Sequence, residues 1–134
     1  MPAKKRGSIK PIDLSGPYVI VDFVFDRGLL SISIQNIGEQ PALVVRVEFS
    51  HNLVGIEGTV DVSKLALFHA LEFLPGGKEI TTFFDSSASF FRSKQPTTIT
   101  ARITYTDAQS RKYSHAIRHN LEIYRDMLIA GPTS

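Results

Sequence analysis

The sequence predicts an all-β domain, an antiparallel two-sheet β-sandwich of about seven strands with one short helical turn. Three observations carry that prediction. Polar and apolar residues alternate with a two-residue step along most of the chain. Each alternating run is bounded by the Gly, Pro, Asn or Asp chemistry that turns a chain. Between runs there is no room for the crossover helices that parallel strands need.

YVIVDFVF (18–25) is rich in β-branched and aromatic residues and reads as the first strand. Asp26-Arg27-Gly28 follows as a three-residue hairpin loop, with Gly28 taking the positive φ. Leu30, Ile32 and Ile34 then alternate with Ser31, Ser33 and Gln35, the pattern of a half-buried strand. NIGEQP (36–41) makes a corner, because Asn36 and Gly38 turn and Pro41 cannot donate to a ladder. After it Leu43, Val45, Val47 and Phe49 share one face and Arg46, Glu48 and Ser50 the other, with Val44 outside the pattern.

HNLVGIEGTVDVSK (51–64) carries two glycines and weak alternation, and reads as an edge strand or loop. A helical turn over 64–69, capped by Ser63, precedes a short strand over 70–74 that Pro75-Gly76-Gly77 ends. KEITTFF (78–84) is a further strand, and DSSAS (85–89) reads as the linker of a hairpin. TTITARITY (97–105) alternates cleanly, with Ile99, Ala101, Ile103 and Tyr105 inward. TDAQSR turns, and KYSHAIRHNLEIY (112–124) forms the last strand with Tyr113, Ile117, Leu121 and Ile123 inward. The expected organisation is a flexible basic arm (1–16), the sandwich (17–125) and a C-terminal tail (126–134).

A chain of 134 residues, 43% hydrophobic and 21% charged, suits one domain with a real core. It contains no cysteine, which removes disulfides, thiol nucleophiles and thiolate metal sites together. Charges near Met1 are followed by no apolar stretch, so no signal peptide is expected, no membrane partner either, and the expected compartment is the cytoplasm. The basic pI near 9.0 belongs to the arm. Lys4, Lys5, Arg6 and Lys10 are four of the 15 bases, and setting them aside leaves 11 against 13 acids.

The order of a strand, N-x-G-x-x-P-A, V-x-V-x-F, L-P-G before a strand, and I-T-Y-x-D resembles immunoglobulin-like β-sandwich domains common in bacterial proteins. The domains it resembles are of the type represented by the cell-adhesion-related CARDB domains. Asn36, Gly38, Pro41, Ala42, Leu74, Pro75, Gly76, Tyr105 and Asp107 carry the resemblance, which covers about residues 18–124. It implies an immunoglobulin-like fold and a role as stalk, spacer or docking module. Relatives of that type are often secreted or membrane-attached, signals this chain does not show. The Cys…Trp…Cys set of antibody domains is absent, since there is neither Cys nor Trp.

The chemical motifs fail in turn. Gly77-Lys78 has Glu72 and Glu79 where a Walker loop needs Gly and Ser or Thr. There is no G-x-S-x-G elbow, and the serines of DSSAS have no neighbouring histidine. A triad assembled from distant residues is a question of geometry. His115 and His119 have the spacing of a helical ligand pair, but on a strand they share a face about 13 Å apart, too far for one ion. Asp22 and Asp26 do not make a calcium loop. The expectation is no catalytic residue, no cofactor and no metal.

What stands above background is TFFDSSASFF (82–91). If 85–89 closes a hairpin, Phe84 and Phe90 point inward and Phe83 and Phe91 outward, an aromatic docking patch. The alternative is that loops or the tail cover all four rings. Lys4, Lys5 and Arg6 are the other contact candidates. An arm of that kind can neutralise phosphates, but the acidic body and the lack of interleaved aromatics argue against nucleic acid. The expected function is a non-enzymatic protein-interaction or scaffolding module that works through the patch or a sheet edge, on a protein partner or a second copy. The alternative is a structural component of a larger assembly, such as a phage or secretion particle, with the basic arm ordered on assembly.

Overall fold

Strand β1 (Val19–Asp26) turns directly into β2 (Leu29–Asn36), with Asp26 opposite Leu29. Only Arg27 and Gly28 lie between, and both have positive φ, 51° and 82°. That is the two-residue loop whose twist matches the flanking strands, one residue tighter than the sequence predicts. The structure, a computed structural model, describes residues 12–128.

The remaining strands are β3 (Ala42–Phe49), β4 (Val54–Gly55), β5 (Val60–Asp61), β6 (Leu71–Leu74), β7 (Glu79–Ser86), β8 (Thr98–Thr106) and β9 (Lys112–Asn120). All pair antiparallel. One sheet runs β1-β2-β7, the second β6-β3-β8-β9, and β4-β5 forms a small hairpin beside them. The all-β antiparallel two-sheet sandwich is thus the observed fold. Its core is made where the two inner faces meet: Val19, Val21, Leu30, Ile32 and Ile34 against Val45, Val47, Ile99 and Ile103, each at most 1% exposed. The helical turn and short strand expected over 64–74 appear as α1 (Ala66–His69) and β6. Asp61, not Ser63, supplies the cap, accepting from the Ser63 N–H at the start of the 3₁₀ turn Val62–Lys64.

The corner NIGEQP is held by one buried side chain. The amide oxygen of Asn36 accepts from the N–H groups of Tyr18 and Gly38, and its nitrogen donates to Gln40 O and Leu74 O. Its own backbone N–H bonds Lys78 O, and its carbonyl accepts from Gly77. Asn36 therefore ties the entry to β1, the corner, the end of β6 and the PGG turn. A methyl group on Gly38 would lie 2.0 Å from Gly16 O, and one on Gly76 would lie 2.6 Å from Glu39 O, so both positions exclude side chains. The N–H of Glu39 bonds the carbonyls of Leu14 and Gly16. Residues 14–16 are thus fastened to the corner rather than belonging to a free arm.

Two β-bulges reset the alternation. Val44 and Val45 together stand opposite Tyr105, because the register shifts between Leu43 and Arg46. Val44 takes φ 52° and is exposed, Ala42 joins the buried face, and Leu43 moves to the outer one, pairing Phe73 and Thr106. In β7 the extra residue is Phe84, since Leu30 faces Asp85 while Ser31 faces Phe83.

Two sequence expectations are overturned at the far end of the molecule. DSSAS does not close a hairpin: Ser86 caps a helix, α2 (Ser87–Arg92), accepting from Ser89 N–H, and the chain crosses to the other sheet. The last strand stops at Asn120, which caps a 3₁₀ turn over Leu121–Tyr124, so Leu121 is buried but Ile123 is exposed.

Candidate functional site

A sandwich of two open sheets has four edge strands, and each edge presents backbone donors and acceptors that something must satisfy or leave for a partner. Three of the four are long. The edge of β1 is stapled by side chains of the opposite sheet. The Tyr18 carbonyl bonds Ile37, so the even-numbered residues of β1 face β2 and the odd-numbered ones face outward. His115 Nε2 lies 2.8 Å from Val19 O, His119 Nε2 2.9 Å from Val21 O, and Tyr124 donates to Phe23 O. Burial pushes the Tyr105 phenol up, while a hydrogen bond from the Val19 backbone pulls it back. The two histidines do share a face, as expected. Each takes a backbone carbonyl, and no group of three His, Cys, Asp or Glu able to hold a metal ion occurs among the described residues.

The edge of β6 is four residues long, and Arg46 lies across its pairing side, bonding Leu71 O and Glu72. The edge of β7 is different. Asn36 N–H bonds Lys78 O, so period two sends Ile80 and Thr82 toward β2. The N–H and C=O groups of Glu79, Thr81 and Phe83 face away, and no strand among the described residues pairs with them. Coverage begins only at the bulge, where the Phe84 carbonyl accepts from Ile56 of the β4–β5 hairpin. Gly55 makes that contact possible, since a methyl group there would lie 2.1 Å from Phe84 O.

Phe83 belongs to this edge. Its ring is 43% exposed on the outer face of the three-stranded sheet, in a row with Val24 and Ser31. Leu29, half exposed, lies next to it along the sheet. Phe91, expected as the second outward ring, is 8% exposed. Helix α2 turns it inward, edge-on to Phe90, and the Arg125 guanidinium sits 4.6 Å from its centroid. Three of the four phenylalanines are thus covered and one is not. Lys4, Lys5 and Arg6 lie outside the described residues.

The fourth edge, β9, is also unpaired on one side among the described residues. Asp107 N–H bonds Arg111 O and Leu121 N–H bonds Thr97 O, which assigns the odd residues of β9 to β8. Lys112, Ser114, Ala116, Arg118 and Asn120 therefore turn their backbone groups to the free side and their exposed side chains to the outer face of the sheet. Nothing in the run 112–124 marks this edge, because alternation reports which face is buried and not whether a neighbouring strand pairs.

A shallow hollow of about 330 Å³ opens on the outer face of the four-stranded sheet, beside Val44, Arg46, Thr104, Lys112 and Tyr113. At its rim Asp107 accepts from the N–H groups of Gln109 and Arg111, from Arg111 Nε at 2.7 Å and from the Tyr113 hydroxyl at 2.8 Å. Burial pushes this carboxyl up, but the four donors outweigh it and hold it down at about 2. The same hydrogen bond raises the Tyr113 phenol. These groups are occupied with one another and close the β8–β9 turn.

No helix among the described residues is long and apolar enough to cross a membrane. A family model described as "Domain of unknown function (DUF8453)" matches residues 9–125, and the chain belongs to that family. No curated protein and no solved structure matches it.

Proposed function

We propose that this member of the DUF8453 family is a non-enzymatic protein-interaction module that docks an extended strand along β7, with Phe83 as the anchor. The order of three strands against four supports reading it as an immunoglobulin-like docking module. The observation that carries the proposal is the coincidence at one edge of two unsatisfied features: open backbone groups at Glu79, Thr81 and Phe83, and an exposed ring on one of those residues. Backbone pairing supplies affinity for any extended segment, and the ring with its Val24 and Leu29 neighbours selects an apolar side chain at one position. The stapling of β1 strengthens the reading, because among the described residues one edge of this sheet is closed and the other is open.

Thr81→Pro tests it. The substitution removes an outward N–H and leaves the bonds of Ile80 and Thr82 to β2 in place. Sedimentation velocity of the full chain over a concentration series is expected to show reversible association. Thr81→Pro and Phe83→Ser each abolish it while melting within a few degrees of wild type, as surface changes do. Association that survives both variants would place the contact elsewhere and overturn the assignment.

A further inference from the structure

The two open edges of this molecule carry side chains of opposite charge, Glu79 on β7 against Lys112 and Arg118 on β9. On the outer face of the three-stranded sheet the charged side chains are Asp22, Asp26 and Glu79, and Glu79 stands on the open β7 edge. On the open β9 edge the charged side chains are Lys112 and Arg118, neither within ion-pair distance of a carboxylate among the described residues. Behind them on the same face stands Arg102, opposite Glu48 of β3 but without a carboxylate at that distance among the described residues. Like-charged edges repel their own kind, and these two attract each other.

We propose that the strand docked on β7 is β9 of a second copy, so that copies join head to tail. This rests on the docking role of β7 given above and names its partner. An antiparallel pairing that sets Thr81 opposite Ala116 places Glu79 opposite Arg118 and Phe83 opposite Ser114. All six residues turn their backbone groups to the free side, so each pair exchanges two ladder bonds. Their side chains fall on one face of the joined sheet. There Glu79 meets a cation, and the Phe83 ring finds room over the small Ser114 and its diagonal neighbour Ala116. A contact between two different edges leaves one of each free on every pair formed. It is heterologous, and unless the rotation closes a ring it continues as an open filament.

Two blocked variants of the full chain test this. Thr81→Pro closes only the β7 edge, and Ala116→Pro closes only the β9 edge, since each removes an outward N–H. Far-ultraviolet circular dichroism and a thermal melt verify that both fold. The wild type is expected to form species larger than a dimer as concentration rises in sedimentation velocity. Each variant alone is expected to be monomeric, and a 1:1 mixture to form a heterodimer and nothing larger, because each supplies the edge the other lacks. A mixture that stays monomeric overturns the proposal. So does a wild type that never exceeds a dimer, or Ala116→Pro that still dimerises alone. That last result means β7 pairs with its own copy, which leaves the docking role of β7 standing and removes only the head-to-tail partner. Charge exchange adds a rescue: Glu79→Lys and Arg118→Glu each weaken association, and mixing the two restores it.

Discussion

Asn36 shows how much of a β-sandwich one buried side chain can organise. Four hydrogen bonds satisfy its amide, and they reach three separate segments: the entry to β1, the corner and the end of β6. Asn36→Ala removes the side-chain partner of two N–H and two C=O groups, of which the Gly38 N–H and the Leu74 carbonyl are bonded in the buried interior. At about 1–3 kcal/mol for each orphaned buried group, discounted for relaxation, the loss is expected to exceed about 3 kcal/mol in urea titration. Asp107 is the residue whose charge matters. Its carboxyl lies at about 2 in the folded protein and near the ordinary carboxylate value in the unfolded chain. A depressed folded value means its contribution is complete above the unfolded pKa and is lost as pH falls through the range from about 4 to about 2. Asp107→Asn is expected to lower stability at pH 7 and to flatten the dependence across that window, measured by urea titration at several pH values. The histidines show why spacing alone misleads: four residues apart on a strand, His115 and His119 reach two different carbonyls.

At the level of the element, the bulges decide which side chains are available. Val44 is a β-branched residue at φ 52°, where its Cβ crowds the backbone. Val44→Gly relieves that crowding, and an exposed position loses little packing, so stability is expected to rise by about 1 kcal/mol in urea titration. A fall would show that the side chain contributes more than the backbone strain costs. Helix α2 separates the two rings that sequence reasoning paired. Phe91→Ala is expected to cost about 3 kcal/mol with association unaffected, and Phe83→Ser to cost less than about 0.5 kcal/mol and abolish association. The strand pattern itself was legible, as at Leu30, Ile32 and Ile34, because alternation follows directly from the pleat. Helix α2 was not, because a six-residue helix leaves no periodic trace, and the Phe-Phe pairs suit either conformation.

Taken whole, the molecule places acidic side chains on the face of one sheet and sets bases without an ion-pair partner among the described residues along the edge of the other. Its net charge of +2 conceals this division. If those charges align the copies, association is expected to weaken as salt rises from 50 to 500 mM in sedimentation velocity, since exposed charges are screened within about 10 Å at 0.1 M. Unchanged association across that range would leave backbone and ring contacts as the whole of the interface.

By itself the sequence determined the kind of fold, the positions of most strands and the corner around Asn36. Those depend on neighbours two to five residues apart, and local chemistry records them. Only the tertiary structure decided which edges are closed. Whether the carbonyls of Val19, Val21 and Phe23 stay open depends on His115, His119 and Tyr124, more than 90 residues away along the chain. Two sheets must first pack before those side chains can reach, and no local pattern encodes that distance.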